Sequence, residues 1–290
     1  MPITKRSYHA YTGTVTGTAS RFGVLMRYAF MDASDSRITS LIGLACLVPS
    51  LVVMIVIYVM NNDAVRLLIG DTGSPLPINE KFFLVVMHVQ SWPALALTAW
   101  VGPRLISADM SNGGLPLLLS RPISRVEYVL AKMVVLAGFL SVVTWVPAVL
   151  LFAFQSHVST KPWAGSHLHI LGGMLAGSWL WIAVLCLLSL AVASWVRWRI
   201  VATATVIAAV FIPSGFAGVF NLSLRTHWGW LLSLPYMMSE LWRRWLHAPP
   251  SPFMRAQLPT WSMLLAITAL AAVMVLVLNA RIRAREVVRG

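Results

Sequence analysis

Acidic residues are scarce in this sequence, which has nine Asp and Glu against 22 Lys and Arg among 290 residues. Only 11% of the residues are charged, whereas 58% are hydrophobic and the mean hydropathy is +0.78. A soluble domain of this length needs more polar surface than such a composition supplies. The composition therefore excludes a soluble globular protein and predicts an integral membrane protein.

Charged residues are also missing from the longest apolar runs. A helix needs about 20 apolar residues to cross a bilayer, and six segments reach that length. They contain no Asp, Glu, Lys or Arg, and His88 and His169 are their only histidines. Ion-coupled transporters normally carry intramembrane carboxylates or lysines, so this absence argues against a secondary transporter. We predict an all-α bundle with transmembrane helices at Ser40–Met60, Phe82–Gly102, Met133–Phe154, Leu168–Trp195, Ile200–Phe220 and Trp261–Ala280.

Two sequence motifs are absent, one typical of nucleotide-binding proteins and one typical of serine hydrolases. The chain has no GxxxxGK[ST] phosphate loop, so we expect it to bind no ATP by the usual cradle of backbone amides and lysine. It also has no G-x-S-x-G motif. An intramembrane serine protease stays a minor alternative, with His88 or His169 as base and a serine such as Ser178 or Ser214 as nucleophile. The sequence alone therefore predicts no enzyme activity.

Metal and disulfide sites are poorly supported. His157, His167 and His169 are close in sequence, but no neighbouring cysteine or paired carboxylate completes a metal site. Cys46 and Cys186 both fall within predicted spans, where a cysteine behaves as a small apolar residue. We expect neither a bound metal nor a structural disulfide.

The distribution of basic residues predicts the orientation in the membrane. With a cytoplasmic N-terminus, fifteen Lys and Arg lie on the inside and seven on the outside, which agrees with the positive-inside rule. Both termini are then cytoplasmic. The basic residues are dispersed among loops and form no single stripe, so the net charge of +13 does not indicate nucleic-acid binding.

The segments at the two ends of the chain are predicted to lie at the membrane surface. Residues 1–39 comprise a tail and a short apolar helix, Arg21–Met31, which is too short to span. Such a helix lies in the interface with its arginines at headgroup level, or it packs on a cytoplasmic partner. No cleavable signal peptide is evident. The basic tail 281–290 follows the six-helix domain, residues 40–280, and we expect it to anchor the last span to anionic headgroups.

The outer segment 221–260 is rich in tryptophan, leucine and methionine. Because Trp and Tyr favour the membrane interface, we predict a re-entrant or interfacial segment before the last span. A surface helix without a gating role is the alternative.

Prolines and glycines mark places where the spans bend or approach one another. Four spans contain a central proline, which removes a backbone donor and kinks a helix; they are Pro49, Pro93, Pro147 and Pro213. Gly173 and Gly177 have the GxxxG spacing that allows close helix contact. This spacing is frequent by chance, so we assign no dimer interface to it.

The cytoplasmic segment 103–132 carries the most distinctive motif. Asp109 and the pair Gly113 and Gly114 precede a short leucine-rich stretch, and a basic turn then restarts a helix. This pattern resembles the cytoplasmic loop of ABC-2 type transporter permeases, most closely those of the nitrous-oxide-reductase-maturation and gliding-motility type. The matching residues that the resemblance assigns to coupling with an ATPase subunit are Asp109, Gly113, Gly114, Arg121, Pro122 and Arg125.

The resemblance implies a function and a set of partners. It implies a permease subunit of an ABC exporter in the bacterial cytoplasmic membrane, with an N-terminal elbow helix before the first span. A six-helix subunit is half of such a transporter, so a second permease subunit and separate ATPase subunits are expected partners. ATP and Mg would bind to the ATPase subunits. A non-transporting membrane scaffold or sensor coupled to an ATPase is the alternative from another class.

Overall fold

A computed structural model describes residues 17–62, 77–111, 124–159, 163–196, 198–250 and 258–287. The described chain is helical. The helices are α1 (Thr18–Ser34), α2 (Arg37–Asn61), α3 (Glu80–Ser111), α4 (Arg125–Val143), α5 (Trp145–Val158), α6 (Trp163–Ser166), α7 (Leu168–Trp195), α8 (Arg199–Leu224), the 3₁₀ helix η1 (Trp228–Leu232), α9 (Leu234–Trp245) and α10 (Thr260–Val287).

Six helical units are long and apolar enough to cross a membrane, as the sequence predicts. They are α2, α3, the pair α4 and α5, α7, α8 and α10. Their length and composition define a multi-pass helical membrane architecture. The helix α10 continues past Arg281 into the predicted basic tail, and α1 extends the predicted short helix at both ends.

The helices α3 and α7 form the centre of the bundle. Each contacts most of the other helices, and they pack closely on one another. A Cβ atom on Gly102 of α3 would lie 1.8 Å from Ser189 Oγ of α7, so a glycine is required at this contact. By contrast, α2, α8 and α10 expose apolar faces, as expected for helices that meet lipid or another subunit.

The prolines act differently from one another. Helical structure continues through Pro49, Pro93 and Pro213. The third predicted span is divided into α4 and α5 at Thr144, whose φ of −105° and ψ of −89° are not helical. Pro147 explains this break, because its ring clashes with the carbonyl of Val143 four residues earlier. Before the break, the hydroxyl and the N–H of Thr144 both donate to Leu140 O, at 2.8 and 2.9 Å.

The bundle has two distinct ends. At one, which we call the α1 end, α1 packs on α2, α3 and α4 beside the starts of α2, α4 and α8. At the other, the α9 end, η1 and α9 cover the starts of α3, α7 and α10. The buried thiols lie between the ends: Cys46 donates to Pro93 O at 3.5 Å, and Cys186 to Met133 O at 3.9 Å.

Candidate functional site

The predicted coupling segment connects two helices at the α1 end. Gly113, Gly114, Arg121 and Pro122 lie outside the described residues. Asp109 belongs to the last turns of α3, and Arg125 is the first residue of α4, but their side chains lie outside what the structure describes. The structure therefore shows the helices on either side of this segment, α3 and α4, but not the contacts that the segment makes.

The helix α4 begins where its sequence requires. The side chain of Ser124 accepts a hydrogen bond from the Glu127 N–H at 3.2 Å, and Glu127 Oε2 accepts from the Ser124 N–H at 2.9 Å. This reciprocal capping box satisfies two free backbone donors at the helix start. One turn on, Tyr128 is buried and Lys132 Nζ lies 5.6 Å from its ring centroid. The start of α4 is thus well anchored beside the segment that precedes it.

The helix α1 packs against α4 through aromatic and small side chains. Phe30 stacks on Phe139 with ring centroids 5.1 Å apart, and Ala29 and Ala33 are buried. On its opposite face, Tyr28 is 70% exposed and Met31 is 50% exposed. The helix thus carries one face buried on the bundle and one apolar face that the described protein leaves uncovered.

At the α9 end, α9 packs into α7 at the two glycines of the GxxxG spacing. A Cβ on Gly177 would lie 2.5 Å from Trp242 Cδ1, and one on Gly173 would lie 2.8 Å from Trp245 O. The Trp242 indole N–H donates to Gly177 O at 3.2 Å. The GxxxG pattern therefore serves contact within this chain. The apolar side chains of α9 that the sequence suggested as membrane-seeking are largely buried against the bundle.

A buried ion-pair network fixes the position of α9. Glu240 is 3% exposed and is the one acidic residue of segment 221–260. Arg243 donates to both of its carboxylate oxygens, at 2.7 and 2.5 Å, and Arg244 Nε donates to Oε1 at 2.9 Å. Arg244 also donates to Thr260 Oγ1 at 2.6 Å and to Leu258 O, which connects α9 to the start of α10.

The two arginines keep Glu240 ionised. Burial alone would raise the pKa of this carboxyl, but the hydrogen bonds and charges of Arg243 and Arg244 outweigh burial and lower the pKa below its ordinary value. In turn, the hydrogen bond to Glu240 raises the pKa of the Arg243 guanidinium. Burial and the nearby Glu240 charge raise the pKa of Tyr236. This network accounts for two of the four basic residues that the sequence places in the outer segment.

A histidine inside the bundle contacts α9 as well. His88 of α3 lies 2.7 Å from Leu84 O through Nδ1 and 2.7 Å from Ser239 Oγ through Nε2. Because a carbonyl can only accept, Nδ1 carries the proton and Nε2 accepts from the serine hydroxyl. The serine differs from those that the sequence suggested: Ser214 receives a hydrogen bond from Ser233 at 3.1 Å, and Ser178 of α7 lines a small cavity with Ser91 and Trp242.

The pair of His88 and Ser239 orients α9 on α3. A serine hydroxyl donating to imidazole is also the first half of a nucleophile and base pair. Here the second imidazole nitrogen is bonded to a neutral carbonyl of its own helix, where a catalytic triad has a carboxylate. The adjoining cavity is small, about 50 Å³, and its lining is mainly apolar, with Trp181 and Met238 among the residues. We therefore assign this pair a structural role.

Histidines at the surface of the α9 end form an aromatic group. His169 Nε2 lies 3.6 Å from Glu80 Oε1, and its ring lies 5.3 Å from that of His247. The ring of His167 stacks on Trp163 with centroids 4.3 Å apart. Within the described ranges, no three His, Cys, Asp or Glu side chains are placed to hold a metal ion.

Sequence reasoning missed Glu240 as the central residue of this end. The signal was present as Glu-Leu-Trp-Arg-Arg, because positions three and four after a glutamate lie on the same helix face. It also missed that Trp242 fills the space left by Gly177, which depends on two segments more than 60 residues apart.

The described geometry is that of a six-span helical membrane protein whose helix α9 covers one end. No family model matches the sequence, and no curated protein is significantly similar to it.

Proposed function

We propose that this chain is the membrane subunit of an ABC transporter of the ABC-2 type, an exporter driven by a separate ATPase subunit. The supporting observation is the position of the two helices that flank segment 112–123. The helix α3 runs to Ser111, and α4 restarts at a capped helix end on the same side of the bundle. A partner that binds this segment would act directly on α3, one of the two central helices.

The arrangement of α1 supports the same proposal. In the proposed transporter, α1 is the elbow helix, and its uncovered apolar face meets the lipid headgroup region. It contacts α2, α3 and α4, so it holds the helices on both sides of the coupling segment. Export is preferred because the resemblance of the segment implies it. The nucleotide and Mg belong to the ATPase subunit in this proposal.

The first test asks whether the coupling segment binds an ATPase subunit. Two double variants, Gly113→Val with Gly114→Val and Arg121→Glu with Arg125→Glu, are each co-expressed with candidate ABC ATPase subunits from the same genome. Valine disfavours the turn and glutamate reverses the charge of the interface. We expect both variants to insert in the membrane and to lose co-purification of the ATPase.

The matched control reverses two charges at the opposite end. Lys81→Glu with Arg225→Glu changes two exposed residues near the α9 end and should leave ATPase binding intact. Arg243 and Arg244 are unsuitable for this purpose because both hold Glu240. Normal ATPase binding by both coupling-segment variants would refute the assigned site. ATP hydrolysis by the rigorously purified chain alone would refute the proposal that a separate subunit hydrolyses the ATP.

A further inference from the structure

Two arginines at the α1 end have no counter-charge in the described protein. Arg104 of α3 follows Trp100 by one helical turn, and Arg199 of α8 lies over that tryptophan, so the two guanidinium groups are near one another. In the described part of the chain, neither is within salt-bridge distance of a carboxylate; the ion pairs there involve Glu80 and Glu240 at the α9 end. Two neighbouring cations without an anion are unfavourable near a membrane of low dielectric constant.

One of the two cations lies over a tryptophan, and the other lies one helical turn from it. The guanidinium carbon of Arg199 lies 4.5 Å from the ring centroid of Trp100, a cation–π contact. Arg104 follows Trp100 by four residues on α3 and therefore lies on the same helix face. Arg104 Nη1 is 3.5 Å from Oγ1 of Thr39, a buried residue of α2. Three helices thus bring two guanidinium groups and a hydroxyl together.

Hydrogen-bond donors are left without acceptors at the same place. Arg199 Nη2 and Trp100 Nε1 are both shielded from solvent, and neither has a hydrogen-bond partner among the described residues. Leaving a shielded donor unpaired costs about 1–3 kcal/mol, and more for a charged group. These shielded donors add to the positive charge of the place, and the parts of Arg104 and Arg199 that stay accessible suit a ligand with negative charge and acceptor oxygens.

We propose that Arg104, Arg199 and Trp100 form a binding site for a phosphate group at the membrane face of the α1 end. Guanidinium groups match phosphate through paired N–H donors, and Arg104 and Arg199 are both partly exposed, so a phosphate can reach them. Two sources carry this group, the headgroup of an anionic lipid and a soluble phosphate. Arg104 and Arg199 both occur within apolar membrane-spanning helices, close to where lipid headgroups lie. This inference does not depend on the proposed ABC function.

The test uses the purified full-length chain in neutral detergent. Native mass spectrometry measures the binding of phosphatidylglycerol, with phosphatidylcholine as the lipid control and inorganic phosphate as a competitor. The double variant Arg104→Gln with Arg199→Gln should bind phosphatidylglycerol at least about tenfold more weakly, because it loses charge-assisted hydrogen bonds. Each single variant should show a smaller loss, which keeps the test valid if the double variant does not fold.

Two further variants separate recognition from general positive charge. Arg225→Gln removes an exposed arginine near the α9 end and should leave the affinity unchanged. Arg104→Lys with Arg199→Lys keeps both charges, loses the paired donors and should bind with intermediate affinity. Binding that resists inorganic phosphate identifies a lipid as the source, whereas displacement by phosphate identifies a soluble one. The proposal is overturned if the Gln variants bind phosphatidylglycerol as tightly as the unaltered chain.

Discussion

The two ends of the bundle differ in whether their arginines have a counter-charge within the chain. At the α9 end, Arg243 and Arg244 share a buried carboxylate, so both have a counter-charge within the chain. At the α1 end, Arg104 and Arg199 lie among tryptophan and threonine side chains and pair with no carboxylate of the described residues. The difference indicates that the chain itself supplies a counter-charge to these arginines at the α9 end. The arginines at the α1 end are suited to a ligand or partner from outside the chain.

Removing the carboxylate of Glu240 should have the largest effect on stability. Glu240→Gln leaves two partly buried arginines without a counter-charge, and we expect a loss of about 3 kcal/mol. The loss is measured from thermal unfolding in detergent, followed by tryptophan fluorescence. Glu127→Gln is the control at the α1 end, because glutamine can keep the capping box; it should cost less than about 1 kcal/mol. Equal losses in the two variants would remove the contrast between the ends.

Filling the close contact between α7 and α9 should have the next largest effect. Gly177→Ala places a Cβ about 2.5 Å from Trp242 and should destabilise the protein by about 2 kcal/mol through overpacking. Gly172→Ala, on the same helix, meets no atom within 4 Å. It should be neutral, or stabilising by less than about 1 kcal/mol, because alanine favours the helix. Indistinguishable unfolding temperatures for the two variants would contradict the close packing of α9.

Acid should weaken the ion-pair network of the α9 end, and by less than the loss of Glu240. The pKa of Glu240 is lowered in the folded protein, so its stabilisation is complete above the ordinary carboxyl pKa of about 4.3. That stabilisation is lost as the pH falls through the folded-state pKa, below about pH 4. The difference in unfolding temperature between Glu240→Gln and the unaltered chain should therefore shrink in this range. A difference that stays constant to pH 3 would show that ionised Glu240 does not stabilise the fold.

Removing an arginine at the α1 end should have the smallest effect on stability. Arg199→Gln loses a cation–π contact with Trp100 but also removes one of two neighbouring positive charges. We expect a change within about 1 kcal/mol in detergent free of anionic lipid. A loss as large as that of Glu240→Gln would mean that Arg199 is neutralised within the chain, and the proposed contrast would fail.

Long-range contacts account for what could not be read from the sequence about the candidate sites. The break at Thr144 was only partly foreseeable, because Pro49, Pro93 and Pro213 occur in similar runs without ending a helix. The GxxxG spacing indicated a close contact but not its partner, which is α9 of the same chain. The proposed coupling residues remain a sequence prediction, since most of their contacts lie outside the described ranges.

The sequence by itself determined the membrane class, the six spans and the start of α4. These follow from the apolar runs and from the local capping pattern of Ser124 and Glu127, which need no information about distant residues. Only the tertiary structure decided that Glu240 is buried between two arginines and that Arg199 lies over Trp100, one helical turn from Arg104. The physical reason is that charge compensation depends on distances through space, and helices far apart in sequence set those distances when they pack.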